Sequence, residues 1–194
     1  LLKYYSKKIN NIYDFRLGPI GNDEIAFDTK GTNIPCGSIM RSPFKEYHTD
    51  KDNISAIHER NFLESINFLN DLIFIYENNS YIFGSFNILP RFSNKKYNLY
   101  LSPLNVSGIK SKNSPNTFKK IIKDINPRLS KKINFEKLNY MMNLIPIMSN
   151  GQHTILDIAE KSNLPFQLVY NYFKICSDHK ILTLKWKFPF KKID

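Results

Sequence analysis

The longest regular pattern of apolar positions lies at residues 58–77. Phe62, Ile66, Leu69, Ile73 and Tyr76 recur at steps of three and four, Leu72 widens the stripe, and Asn78-Asn79 ends it. That spacing predicts an amphipathic helix with one face on a core. A second helical pattern, Phe135 to Ser149, places Leu138, Met141, Met142, Ile145 and Met148 on one side. Asn150-Gly151 then reads as a turn. Thr154 is suited to cap a helix over Ile155 to Lys161, and Asp157 stands where a capping box needs it. After a turn at Ser162-Asn163-Leu164, Pro165 suits the first turn of a helix carrying Leu168, Val169, Tyr172, Phe173 and Cys176. Ile181 to Lys187 alternates as a strand.

The N-terminal half is less regular. Residues 9–15 read as a short strand, and residues 34–40 as a second, buried strand whose Pro35 and Gly37 suggest an edge. Residues 41–57 are polar. Residues 80–118 are irregular and rich in Asn, Ser and Pro, with Tyr97, Leu99, Tyr100 and Leu101 able to clamp the segment onto a neighbouring surface. Phe118 to Ile125 reads as a short basic helix stopped by Asn126-Pro127. Three short helices, a tight turn between the second and third, and a closing strand predict a winged helix-turn-helix over 135–194. The expected organisation is therefore the closing part of an α/β domain over 1–80, a linking extension over 81–134, and the winged helix.

The chain has 194 residues, 42% of them hydrophobic and 14% aromatic, enough to bury a core. No apolar run approaches the roughly 20 residues of a membrane-crossing helix. No signal peptide is visible, and Cys36 and Cys176 fit no metal or redox spacing, so the expected location is the cytoplasm, away from membranes. The net charge of +11 is uneven. Residues 1–109 hold 12 Lys+Arg against 11 Asp+Glu, and residues 110–194 hold 16 against 6. Lys outnumbers Arg 23 to 5, as an AT-rich genome would produce, so most of the excess reads as solvated surface. Only the C-terminal half is a candidate for polyanions. Lys185, Lys187, Lys191 and Lys192 could contact phosphates there, while Gln167, Asn171 and Lys174 are a thin set for reading bases.

The chemistry-bearing stretch is Gly21-Asn22-Asp23-Glu24, then Gly31-Thr32-Asn33-Ile34-Pro35, then Glu46-Tyr47-His48-Thr49-Asp50-Lys51-Asp52. One imidazole, His48, lies in a carboxylate-rich segment before a helix, a donor type suited to zinc. Asp23, Glu24 and Asp52 are candidate co-ligands or supports. Arg41 could hold a substrate carboxylate or pair with Glu46. His58, His153 and His179 read as exposed or capping residues.

Tyr47-His48-Thr49-x-x-Asp52 resembles the closing motif of the dinuclear-zinc exopeptidases. The resemblance is stronger to a bacterial family of unassigned function with an aminopeptidase-like domain and a C-terminal winged helix. It is carried by Gly21-Asn22-Asp23-Glu24-Ile25-Ala26-Phe27, Gly31 to Arg41, Glu46 to Asp50, and Asn150 to Phe166. Asn22 stands where that family has Ser, and Ile25-Ala26 where it has Arg-Gln. The resemblance implies His48 as the last zinc ligand, Asp52 as a brace, and Asp23, Glu24 and Tyr47 at the site. It also implies two zinc ions, a general base, and hydrolysis of an N-terminal peptide bond or of an amide on a polysaccharide intermediate. Only His48 has a counterpart among the ligands, so the others and the base are expected upstream of Leu1. The rival reading is a non-enzymatic regulator whose winged helix binds DNA or docks a protein.

Overall fold

The computed structural model describes residues 24–27, 29–32, 34, 36, 39, 45–87, 90, 92–94, 96–101, 121–122, 125 and 133–186, with the side chains of Glu24 and Ile25 left out. The strand expected over 9–15 lies outside these residues. So does most of the helix expected over 118–125, of which Ile121 and Ile122 are helical.

Two units divide the chain, Leu2–Phe68 and Leu69–Asp194. In the first, a four-residue helix α1 (Glu24–Phe27) runs into a turn through Thr29–Thr32. The Thr32 hydroxyl lies 2.6 Å from the Phe27 carbonyl and 3.2 Å from that of Ala26, so it serves the acceptors a helix end leaves open. The buried strand expected over 34–40 is a correction. Its described residues Ile34, Cys36 and Ile39 are exposed and lie in no strand. Pro35 offers no N–H to a ladder and Gly37 weakens a strand interior, so the sequence supports a ladder poorly at these positions; residues 35, 37, 38 and 40 lie outside the described residues.

Helix α2 (Glu59–Asn78) forms where the periodicity predicts it, and the unit boundary falls within it. Its burial departs from the pattern. Ile75 is buried at 3% exposure, whereas Phe62, Ile66, Leu69, Ile73 and Tyr76 are 38–59% exposed.

In the second unit, α2 leads at once into β1 (Ser80–Gly84), a Tyr-Ile-Phe segment of strand formers. This strand was not evident in the pattern, because five residues are too few to establish alternation. It is the centre of a three-stranded antiparallel sheet in the order β2-β1-β3, with β2 at Asn150–Thr154 and β3 at Leu182–Trp186. Helix α3 (Phe135–Met148) precedes β2, capped by Asn134, whose side chain accepts the Lys137 N–H at 3.0 Å. It buries the five residues expected of it, and Leu144 as well.

The turn expected at Asn150-Gly151 is instead the start of β2. Gly151 has φ +80°, and the β1–β2 register shifts between Tyr81 and Phe83. A Cβ on Gly151 would collide with the Phe83 ring. Helix α4 (Ile155–Ser162) opens on the expected capping box: Asp157 N–H donates to the Thr154 hydroxyl at 3.4 Å, and Thr154 N–H donates to the Asp157 carboxylate at 2.7 Å. Asn163, in the left-handed conformation at φ +50°, closes it. Helix α5 (Phe166–Asp178) follows Pro165 and buries Phe166, Leu168, Val169, Tyr172, Phe173 and Cys176. Each such large side chain contributes about 1.5–3 kcal/mol of transfer free energy.

The segment through 92–101 is clamped onto this core. Leu99 and Leu101 are fully buried, and the buried Tyr172 hydroxyl donates to the Leu99 carbonyl at 3.0 Å. The Tyr97 ring meets the His179 ring edge-on at 5.6 Å.

Candidate functional site

His48 stands on a loop stitched by its own backbone. Thr49 N–H donates to the Glu46 carbonyl at 3.0 Å, and the Thr49 hydroxyl donates to the same oxygen at 2.6 Å. Lys51 N–H donates to that hydroxyl at 3.2 Å, and Asp52 N–H to the Thr49 carbonyl at 3.1 Å. Asn53 then caps the 3-10 turn Ile54–Ala56, its side chain accepting from the Ser55 N–H at 3.0 Å. These bonds turn the chain tightly enough to put His48 at φ +62°. For a non-glycine residue that left-handed conformation costs roughly 1–2 kcal/mol, which the local bonds offset.

The result is a displayed imidazole. His48 is exposed, and the Tyr47 ring stacks on it with centroids 4.0 Å apart and planes at 27°. Asp52, the expected brace, joins this loop through its backbone N–H. Glu24 begins α1. Asp23 and Arg41 lie outside the described residues. Among the described residues no three His, Cys, Asp or Glu side chains converge as a metal cluster would require. One imidazole cannot hold a zinc ion, so the described donors do not make a metal centre by themselves.

The C-terminal candidates resolve differently. Lys185 lies over the Phe83 ring, its Nζ 4.7 Å from the centroid. Trp186 Nε1–H donates to the Tyr76 carbonyl at 3.2 Å, which ties β3 to the end of α2. Lys187, Lys191 and Lys192 lie outside the described residues. On α5, Gln167 donates to the Asn171 side chain at 3.0 Å, and Asn171 donates to the Ile121 carbonyl at 3.1 Å. Tyr170 packs edge-on against Phe74 at 5.3 Å. Of the exposed-or-capping histidines, His58 and His179 are exposed, while His153 is half-buried in β2.

Two positioning residues carried no signal in the sequence. Asn79, read as a helix stop, accepts the Leu156 N–H at 3.0 Å and so provides α4 with a second cap from 77 residues away. Thr32 closes α1. Among the described residues no helix is long and apolar enough to cross a membrane.

Residues 2–79 match a family described as "Domain of unknown function (DUF4910)". A Clostridium acetobutylicum protein named "Putative polysaccharide biosynthesis protein with aminopeptidase-like domain" is 38% identical over 63 residues, which are 31% of this chain and 14% of that protein. The fold resembles the crystal structure of a "putative peptidase" from the same organism, with a TM-score of 0.51 and 24% identity over 87% of this chain and 31% of the other. The chain thus spans less than a third of the length of either protein.

Proposed function

We propose that these residues are the closing portion of an aminopeptidase-like metallohydrolase, followed by a winged helix-turn-helix. The whole protein would hydrolyse an N-terminal peptide bond or a related amide of a polysaccharide intermediate. The observation that carries this reading is the Tyr47-His48-Thr49 loop, which displays one imidazole in a chain 38% identical over 63 residues to a protein named for an aminopeptidase-like domain. In this reading His48 is one donor to zinc. Asp23, Glu24, Tyr47, Asp52 and Arg41 line or support the site. The remaining ligands, the second zinc and the general base belong to polypeptide beyond this chain, which spans 14% of the relative.

The β2-β1-β3 sheet with α3, α4 and α5 is read as the winged helix, with α5 in the recognition position. Gln167 and Asn171, the side chains a base reader would need free, are bonded within the protein. That supports docking within the protein or onto a protein partner over DNA binding.

The test compares the natural protein that contains this segment with its His48→Ala variant. Zinc is measured by mass spectrometry and hydrolysis with aminoacyl anilides and amide-bearing sugars. The variant is expected to retain less zinc and to lose roughly 100-fold or more in rate, as even groups that only support a metal's ligands cost 10–100-fold. A folded variant with unchanged zinc and rate refutes the assignment.

A further inference from the structure

Helix α2 has an apolar stripe that stays exposed among the described residues. Phe62, Ile66, Leu69, Ile73 and Tyr76 fall within roughly 80° of arc at 3.6 residues per turn. All five are exposed. On the opposite side fall Arg60, Glu64 and Asp71, with Arg60 and Glu64 paired at 3.5 Å. The residues α2 does bury lie off the stripe: Ile75 is buried, and the half-buried Phe74 meets the Phe166 and Tyr170 rings. The helix therefore has one side that is charged along its early turns and packed at its C-terminal end, and an opposite side built of core-type residues and left open. Along about 21 Å of helix the stripe carries no charge, as a buried face would and a solvent face would not.

We propose that this stripe seats a further β-sheet layer of the same protein, the apolar face of an α/β domain lying outside these 194 residues. The inference rests on the reading of this chain as part of an aminopeptidase-like protein. Its support is the length of the similar proteins, of which this chain spans 31% in the structural neighbour and 14% in the relative. In α/β folds, helices cover the sheet with such stripes. A second copy of this chain is a poorer occupant. A strip about 21 Å long and 10–12 Å wide offers roughly 200–250 Å², against about 800 Å² a side in stable dimers. A covalently tethered layer needs no such area, because linkage supplies a high effective concentration.

The test uses the natural gene product containing this segment and, beside it, the 194-residue chain, both with Cys36→Ser. Single cysteines are placed on the stripe (Ile73→Cys) and off it at an exposed position (Asn67→Cys), then alkylated with a maleimide under native conditions. In the gene product the stripe cysteine should react at least ~10-fold more slowly than the control, and in the 194-residue chain the two should react alike. Hydrogen exchange of the unsubstituted α2 amides, slower in the gene product, guards against disruption by the substitution. Equal rates in the gene product overturn the proposal, as does protection that disappears on dilution, the mark of a second copy. Protection without any amide hydrolysis supports the docking and removes only the catalytic reading.

Discussion

Replacing Tyr172 by Phe removes a single oxygen from the middle of the second unit. That oxygen donates to the Leu99 carbonyl at 3.0 Å, and both residues are fully buried. The ring stays, so the cavity term is negligible and the loss is electrostatic. A buried carbonyl deprived of its donor costs about 1–3 kcal/mol. With a urea m-value of roughly 1.5–2 kcal/mol/M, the unfolding midpoint should fall by about 0.5–2 M. The bond joins residues 73 apart in sequence, so its loss also frees the 92–101 segment from α5. Hydrogen exchange at Leu99 and Leu101 should therefore accelerate more than in α3. Circular dichroism against urea is the assay, with Tyr100→Phe as the control because that ring is exposed. A Tyr172→Phe midpoint within about 0.2 M of wild type would refute the idea that this hydroxyl holds the segment down.

Burial pushes the Cys176 thiol up from 9.0 to about 12 and the Tyr172 hydroxyl well above 10.0. The folded state keeps these protons longer than the unfolded one, so their contribution is whole below pH 9 and is lost as pH rises toward 12. The expected fall is up to roughly 1.4 kcal/mol per pH unit and per group, and a urea midpoint that stays flat or rises from pH 9 to 11 contradicts it. Thr154→Ala and Asn79→Ala each remove a cap from the first turn of α4, so each should cost about 1 kcal/mol and lower Tm by roughly 3–6 °C. Because the two caps serve one turn, the double variant should depart from additivity; a strictly additive pair means that they act separately. Gly151→Ala forces a side chain into a left-handed conformation and into the Phe83 ring, and should cost more than about 2 kcal/mol. Shortening the ring with Phe83→Leu should recover part of that, and a Gly151→Ala loss below about 0.5 kcal/mol contradicts the clash.

The C-terminal helices were legible because their signals are local. Thr154 and Asp157 are three residues apart, and the Leu138-to-Met148 stripe repeats within one helix. Position α2 was legible and its buried face was not, since periodicity shows which residues share a side but not what covers that side. Strand β1 escaped because its partners lie near residues 150 and 185, and pairing at that separation leaves no mark on five residues. The cap from Asn79 to Leu156 escaped for the same reason. At the candidate site, the loop residues Tyr47, His48 and Thr49 were legible as a unit. The left-handed backbone at His48 was not, because it follows from the hydrogen bonds of Thr49 rather than from the identity of the histidine.

The place of β1 in its sheet has a consequence for how the protein is made. Its last residue, Gly84, leaves the ribosome about a hundred residues before Leu182 does, and Leu182 begins the third strand. At ~5–20 residues per second, the central ribbon waits roughly 5–20 s for its final neighbour, with Ile82 uncovered on the nascent chain. A clone begun at the α3 cap would retain both outer ribbons and lack the one between them. Shortened versions for expression must therefore begin upstream of Ser80.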